Sequence, residues 1–295
     1  MTDLIINLNK SPGITSHQAV AQVKRLLGIK KAGHTGTLDP MATGVLLVCL
    51  NEATKVSRFL LDMDKQYRAR VKLGERTDTY DSQGRVIEQK DASAITEGDV
   101  VRAVKMFEGS MTQKPPMYSA IKVQGKKLYE LARKGIEIER QERHVLIYRL
   151  QVSGFDLPYF DLAISCSKGT YVRTLCDDIG AVLGTGAHLF SLERSAIGPF
   201  DIKNSSRHEE LGRDDFFATQ KKSFCSIDEA LPGLKEIVLG EADYRSARSG
   251  VPIKNNIIKE LYDCSFVKLK GPCGELFGIG RVDSDYIRIE RLINI

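Results

Sequence analysis

The sequence predicts an α+β fold made of one large domain and a small C-terminal β-barrel module. Two observations indicate this fold. Segments with the alternating pattern of half-buried strands are interleaved with segments of helical apolar spacing, and the last part of the chain holds short strands separated by turn residues. With 295 residues, 42% of them hydrophobic, the chain can bury a core of this size.

The N-terminal part begins with an apolar run, residues 4–8, and continues into a helix. Thr15 followed three residues later by Gln18 forms a capping-box signature at the start of that helix, and Gly28 suits its C-terminal end. The next segment, GHTGTLDPMATGVLLV at residues 33–48, joins a glycine-containing loop to a buried strand. Because Pro40 restricts the residue before it to extended geometry, the loop holds Asp39 in a defined pose.

The central part of the chain alternates strands and helices. We predict a strand over residues 67–73, a helix over 96–107, a strand over 158–166 and a helix from Tyr171 to a cap at Gly184. In the first of these strands Arg68 and Arg70 point away from the apolar face. They lie either on a solvated face of the sheet or in contact with phosphate, and the solvated face is the favoured interpretation.

The C-terminal part predicts a separate module. A polar, charged stretch at residues 204–222 is expected to separate it from the preceding body, and Pro232-Gly233 marks a boundary between domains 1–231 and 232–295. Short strands then follow in SFVKLK, ELFGIGRV and YIRIERLI, divided by GPCG and DSD. A β-barrel of about sixty residues fits this pattern, at a size where domains are only marginally stable alone.

Composition and missing motifs exclude several classes of protein. The net charge of +5 favours an acidic partner without requiring one. The six cysteines form no C-x-x-C pair and the N-terminus lacks a signal-peptide core, so we expect a cytoplasmic protein with free thiols. No apolar run could cross a membrane, and nucleotide-binding, H-E-x-x-H zinc and G-x-S-x-G hydrolase motifs are absent. Asp78 and Asp81 could be metal ligands, but a polar turn is the favoured interpretation.

Six motifs carry a further signal. They are N-K-S-P-G-I-T-S (9–16), G-H-T-G-T-L-D-P-M-A-T-G-V-L (33–46), D-K-Q-Y-R-A (64–69), R-T-D-T-Y-D (76–81), P-P-M-Y-S-A-I-K (115–122) and S-K-G-T-Y-V-R-T-L (167–175). In order and spacing, nearly the whole chain resembles the TruB family of pseudouridine synthases, which modify the T-loop of tRNA at uridine-55. The resemblance implies a central mixed, largely antiparallel sheet flanked by helices, and the C-terminal segment resembles, more weakly, the PUA module of many members.

The resemblance also implies the roles of individual residues. It places the catalytic aspartate at Asp39, with an active-site tyrosine at Tyr67 and an active-site arginine at Arg173. The family's histidine that takes the space of the everted nucleotide corresponds to His34, and the apolar residue beside the target base to Leu192. The further candidates for substrate binding are Lys10, Tyr171 and Lys122. Members often read K-P-x-G where this chain has Lys10-Ser11-Pro12-Gly13, which we expect to alter a local turn and not the chemistry.

The chemistry of the implied reaction sets what the residues must supply. Conversion of uridine to pseudouridine moves the glycosidic bond from N1 to C5 of one ring without redox change, so we expect no cofactor and no metal. Asp39 suits the role of carboxylate nucleophile, and the attack could be at C1′, at the ring or could follow proton loss at C2′. Arg173, in the first turn of its helix, is placed to keep that carboxylate ionised. Tyr67 could stack on the extruded base or be a core residue.

A basic stretch is the candidate RNA surface. Residues 114–134 contain six basic residues and one acidic residue, mixed with Tyr118 and Tyr129, which suits shape and phosphate recognition of folded RNA. The resemblance to the TruB family implies the T-arm of tRNA as partner, and we expect no membrane partner, no obligatory protein partner and a monomer. Two alternatives stay open: a non-catalytic RNA-binding or tRNA-folding protein, and a synthase that depends on a guide RNA.

Overall fold

The fold is built on a ten-stranded sheet whose central strands carry the candidate residues Tyr67 and Leu192. We describe it from a computed structural model covering residues 3–119, 122–123, 125–132, 135–254, 265–283 and 285–293. The helices are α1 (Ser16–Leu27), α2 (Ser57–Leu61), α3 (Glu97–Lys105), α4 (Leu128–Ala132), α5 (Val172–Leu183), α6 (His208–Leu211), α7 (Phe216–Thr219) and α8 (Glu241–Arg248).

The strands divide between two larger sheets and two short hairpins. In chain order they are β1 (Leu4–Lys10), β2 (Ala32–Thr35), β3 (Thr43–Leu50), β4 (Lys65–Leu73), β5 (Glu75–Thr77), β6 (Val86–Gln89), β7 (Gly109–Gln113), β8 (Lys122–Val123), β9 (Lys126–Lys127), β10 (Arg143–Asp156), β11 (Tyr159–Cys166), β12 (Ala187–Ile197), β13 (Phe200–Asp201), β14 (Phe224–Ser226), β15 (Lys235–Val238), β16 (Ile253–Lys254), β17 (Phe266–Lys270), β18 (Leu276–Asp283) and β19 (Tyr286–Leu292). Three short 3-10 turns lie at Asn51–Val56, Ile202–Asn204 and Lys221–Ser223.

The large sheet is mixed and mostly antiparallel, as predicted. Its strand order is β14-β1-β3-β12-β4-β11-β10-β7, with β2 beside β3 and β13 beside β12. Within the sheet only the pairing of β3 with β12 is parallel among the described residues. This pairing matters for the site, because β3 follows the Asp39 loop and β12 lies next to the strand that carries Tyr67.

Local sequence accounts for the helix ends. Thr15 caps α1 through the predicted capping box with Gln18, and Gly28 ends the helix in the left-handed conformation at φ 64°. Helix α3 begins with an equivalent box between Thr96 and Asp99. Helix α5 begins after Tyr171 and ends at Gly184, also as predicted.

The main core lies between the large sheet and the helices α1, α3 and α5. The alternation predicted for β4 is confirmed, because Ala69, Val71 and Leu73 are buried while Arg68 is exposed. Arg68 pairs with Glu193 at 2.8 Å, and Arg70 lies over the ring of Tyr159. Both arginines therefore have protein partners on the polar face of the strand.

The C-terminal module is a five-stranded sheet in the order β15-β17-β18-β19-β16, with its own apolar cluster. The predicted strands in SFVKLK, ELFGIGRV and YIRIERLI correspond to β17, β18 and β19. A second apolar cluster joins this module to the body, since Leu276 and Ile279 pack with Val45 and Leu47 of β3. The two parts therefore share a core.

Two strands and one connection differ from the sequence expectations. Neither β10 nor β12 was predicted, because register shifts in each strand break the alternation of apolar and polar residues. The stretch at 204–222 does not separate the two parts, because Leu211 and Phe216 are buried in the main core and β14 pairs with β1. Its apolar residues are too few to predict this from sequence.

Candidate active site

The loop between β2 and β3 carries Asp39 and is fastened from several sides. The Ser16 hydroxyl accepts a hydrogen bond from the Leu38 N–H at 2.8 Å and donates one to the Leu38 carbonyl at 3.0 Å. The Pro40 carbonyl accepts from the backbone N–H of Gly13 at 2.8 Å and from the Lys10 ammonium at 3.3 Å. The peptide groups on both sides of Asp39 are thus fixed by the start of α1 and the end of β1.

Asp39 forms a two-pronged ion pair with Arg173. Arg173 Nε lies 3.0 Å from one carboxylate oxygen and Nη2 lies 3.2 Å from the other. The guanidinium also reaches Asp81 through Nη1 at 3.3 Å and the Tyr118 carbonyl through Nη2 at 2.7 Å. The side chains of Arg173 and Asp81 are 7% and 6% exposed, whereas Asp39 is 34% exposed, so Asp39 is the most solvent-accessible of these three side chains.

Burial sets the electrostatics of this network. Burial raises the pKa of the Asp39 carboxyl above its usual value, and the Arg173 guanidinium opposes that rise. The Asp81 carboxylate acts with burial, while Lys10 and Arg194 act with Arg173. The cationic neighbours of Asp39 therefore favour its ionised form against the effect of burial.

Tyr67 and Leu192 lie on neighbouring strands close to this network. Leu192 of β12 is buried and packs in the main core, and Tyr67 of β4 is half-buried against it. Directly across from Tyr67 in the strand register is Arg194, a guanidinium that is fully buried. Burial raises the pKa of the Tyr67 hydroxyl, and the charge of Arg194 opposes the rise. Tyr67 is therefore neutral at physiological pH, with a cation beside it.

The start of α5 is held by Gln113. Its side-chain amide accepts from the Tyr171 N–H at 2.9 Å and donates to the Tyr171 carbonyl at 3.3 Å. This contact fixes the backbone two residues before Arg173. The amide at the end of β7 thereby determines where the helix that carries Arg173 begins.

The other predicted substrate-binding residues have different surroundings. His34 lies on β2, where burial and the charge of Arg194 lower its pKa, so its ring is neutral. Lys10 is fully buried, and its ammonium donates to the carbonyls of Ser11 and Ile14 at 2.9 and 2.8 Å as well as to Pro40. Lys10 therefore supports the Asp39 loop from inside, and its assignment to substrate binding stays a prediction. The side chain of Lys122 lies outside the described part of the chain.

Three residues in this arrangement were missed in the sequence. Neither Arg194 nor Gln113 lies in a motif that distinguished it. Asp81 was interpreted as a turn residue, which is half correct: its carboxylate accepts from the Thr79 hydroxyl and from the Gln83 N–H as in a turn. Its position in the R-T-D-T-Y-D motif was the signal that could have identified it.

Within the described part of the chain, no group of three or more His, Cys, Asp or Glu side chains could hold a metal ion. No helix that the structure describes is long and apolar enough to span a bilayer.

Comparisons with known proteins agree with this geometry. The model of the TruB family pseudouridylate synthase N-terminal domain matches residues 24–172, and that of the tRNA pseudouridylate synthase B C-terminal domain matches residues 173–238. The tRNA pseudouridine synthase B of Clostridium tetani is 41% identical over 289 residues, which are 98% of this chain and 99% of the relative. The protein of the same name from Chromohalobacter salexigens is 53% identical over 249 residues, or 84% of this chain and 80% of the relative.

A solved structure supports the fold over the whole chain. The structure titled "Crystal Structure of a Cbf5-Nop10-Gar1 Complex" contains a chain that superposes with a TM-score of 0.78 at 26% identity, covering 99% of this chain and 85% of that one. These matches define a class of RNA-modifying isomerases. The chain belongs to the TruB family of pseudouridylate synthases.

Proposed function

We propose that this protein isomerises uridine to pseudouridine in the T-loop of tRNA, at uridine-55, with Asp39 as the catalytic carboxylate. The observation that carries the proposal is the two-pronged pair of Asp39 with the buried Arg173, in the middle of a loop whose neighbouring peptides are fixed. The relatives from Clostridium tetani and Chromohalobacter salexigens, named tRNA pseudouridine synthase B, support tRNA as substrate.

The residues of the site fit the needs of this reaction. The bond between ribose C1′ and N1 of uracil must break, a bond from C1′ to C5 must form, and the proton on C5 must leave while N1 gains one. Asp39 is partly exposed and, in its ionised form, supplies a nucleophile or a charge stabiliser at the sugar or the ring. Tyr67 offers a ring for stacking and a hydroxyl for proton movement, and Leu192 offers an apolar contact beside the base.

Substrate capture requires that the target base leave its stack, which costs a few kcal/mol. We assign His34, neutral and next to the Asp39 loop, to the space that the base vacates, and Tyr171 to the wall of the cleft. The basic residues of 114–134, Lys122 among them, are assigned to phosphate contacts. The module at 232–295 is assigned to RNA binding as a PUA-like domain. In this proposal the enzyme is a cytoplasmic monomer that needs neither cofactor nor protein partner.

The Asp39→Asn substitution tests the proposal, since the amide keeps the size of the side chain but cannot act as a carboxylate. We expect the purified variant to bind an unmodified tRNA transcript as the wild type does and to form no pseudouridine by mass mapping. Asp161→Asn is the matched control. Asp161 lies on β11, outside the site, and its carboxylate forms only a long ion pair with Arg70, at 3.9 Å. Pseudouridine formation by Asp39→Asn at the wild-type rate would refute the proposal.

The same purified proteins also test the two alternative functions. If the protein is a non-catalytic RNA-binding or tRNA-folding protein, the Asp39→Asn substitution leaves its RNA binding or folding activity unchanged, and the wild-type protein forms no pseudouridine. A guide-dependent synthase would be inactive as the purified chain on a plain transcript. We expect the wild-type chain alone to modify the transcript.

A further inference from the structure

Arg194 is a buried cation without a carboxylate partner. Its residue is 2% exposed, and it is among the largest fully buried side chains in the described chain. No carboxylate of the described residues forms an ion pair with it at up to 4.0 Å. Burying a charge is costly unless its contacts compensate, so the contacts that Arg194 does make indicate what it is for.

Those contacts fasten both ends of the Asp39 loop. Nε donates to the Val45 carbonyl at 2.7 Å and Nη2 donates to the Gly36 carbonyl at 2.8 Å. Gly36 precedes Asp39 by three residues and Val45 follows it by six. A single rigid guanidinium therefore joins the entry and the exit of the loop that presents the candidate nucleophile.

The same side chain stands beside Tyr67. Arg194 is the cross-strand partner of Tyr67 in β4 and of Gly44 in β3, so it lies at the point where three central strands meet. Side chains of directly opposed residues in an antiparallel pair lie on the same face. Arg194 thus touches the loop of Asp39 and neighbours the candidate proton-handling group.

We propose that Arg194 is a positioning residue of this active site, which holds the Asp39 loop in its working shape and supplies a fixed positive charge to Asp39 and Tyr67. This inference rests on the proposed function, because it assigns Arg194 to the same reaction. The direction of the electrostatic effect can be stated: Arg194 lowers the pKa of Asp39 against the effect of burial, after the larger contributions of Arg173 and Lys10. Removing the charge raises that pKa, so we expect the acid side of the pH profile to move to higher pH.

Two substitutions separate the contacts from the charge. Arg194→Met removes both, and Arg194→Lys keeps a charge but cannot reach the Gly36 and Val45 carbonyls together. We expect each variant to bind tRNA within about threefold of wild type. At pH 7 and saturating tRNA we expect the single-turnover rate to fall by about a hundredfold or more in Arg194→Met, the size of loss that misplacement of a reacting group by about 1 Å can cause. In Arg194→Lys we expect a loss of at least tenfold.

The pH profile distinguishes positioning from general damage. We expect the acid limb of Arg194→Met to shift to higher pH, so that its deficit shrinks as pH rises, and the limb of Arg194→Lys to stay in place. Lys268→Met is the matched control, because Lys268 is also a buried cation but lies in the C-terminal sheet and pairs with Asp228 at 2.7 Å. We expect Lys268→Met to lower the melting temperature without shifting the acid limb of the pH profile.

Several results would overturn the inference. One is a folded Arg194→Met variant whose single-turnover rate is within threefold of wild type. Another is an acid limb of the pH profile that moves no more in Arg194→Met than in Lys268→Met. If Arg194→Met does not fold, Arg194→Lys tests the inference instead, and a wild-type single-turnover rate in Arg194→Lys refutes it. Failure of the proposed function would look different, because the wild-type enzyme itself would then form no pseudouridine.

Discussion

The contact between Arg173 and Asp39 allows a quantitative prediction for Arg173→Lys. A lysine ammonium is a point charge on a flexible stem, so it can approach one oxygen of Asp39 but cannot also span the second oxygen and Asp81. Arginine makes these contacts at 3.0, 3.2 and 3.3 Å. A hydrogen bond to a charged group contributes about 1.5 to 3 kcal/mol. The two contacts that lysine cannot make are the longer ones, so we take values near the lower end of this range and expect their loss to cost about 3 to 4 kcal/mol.

That loss corresponds to a rate about 10² to 10³ lower, since about 1.4 kcal/mol changes a rate tenfold. The assay is release of tritium from the C5 position of uridine in tRNA under single-turnover conditions, because C5 must lose its hydrogen during the reaction. Binding should not change, because the Arg173 side chain is buried and has no surface for RNA.

Arg76→Lys provides the control for this experiment. Arg76 makes the same kind of two-pronged pair with Asp177, at 2.6 and 3.0 Å, instead of with Asp39. We expect this variant to keep its rate within a fewfold of wild type. A comparable rate loss in both variants, or an Arg173→Lys rate within about fivefold of wild type, would show that the pairing with Asp39 is not what the reaction needs.

Two further predictions concern stability. Gly44 has φ 98°, and a Cβ there would lie 2.3 Å from the Arg194 carbonyl, so Gly44→Ala should destabilise the fold by about 3 kcal/mol or more in denaturant unfolding. Gly28→Ala, at φ 64° with open space around it, should cost only about 1 to 2 kcal/mol, and equal losses would contradict the clash. A chain that ends at Leu231 exposes the β3 face that packs on Leu276 and Ile279, so its melting temperature should fall. We expect this truncated chain to bind tRNA more weakly and to retain residual catalysis, whereas loss of folding would place the domain boundary elsewhere.

The sequence by itself determined features that depend on neighbouring residues. The capping box of Thr15 and Gln18, the stops at Gly28 and Gly184 and the alternation in β4 all follow from contacts within a few residues, and the structure confirms them. The family motifs identified Asp39 and Arg173 as site residues, and the structure places their side chains in contact.

Only the tertiary structure decided which distant groups support that pair. Arg173 and Asp39 are 134 residues apart, and Arg194 lies 158 residues from Gly36, so their meeting depends on the order and register of strands. Register shifts in β12 removed the periodic signal that would have predicted the strand and the inward direction of Arg194. For the same reason Asp81, locally a turn residue, is a partner of Arg173 only because the folded sheet brings the turn to the start of α5.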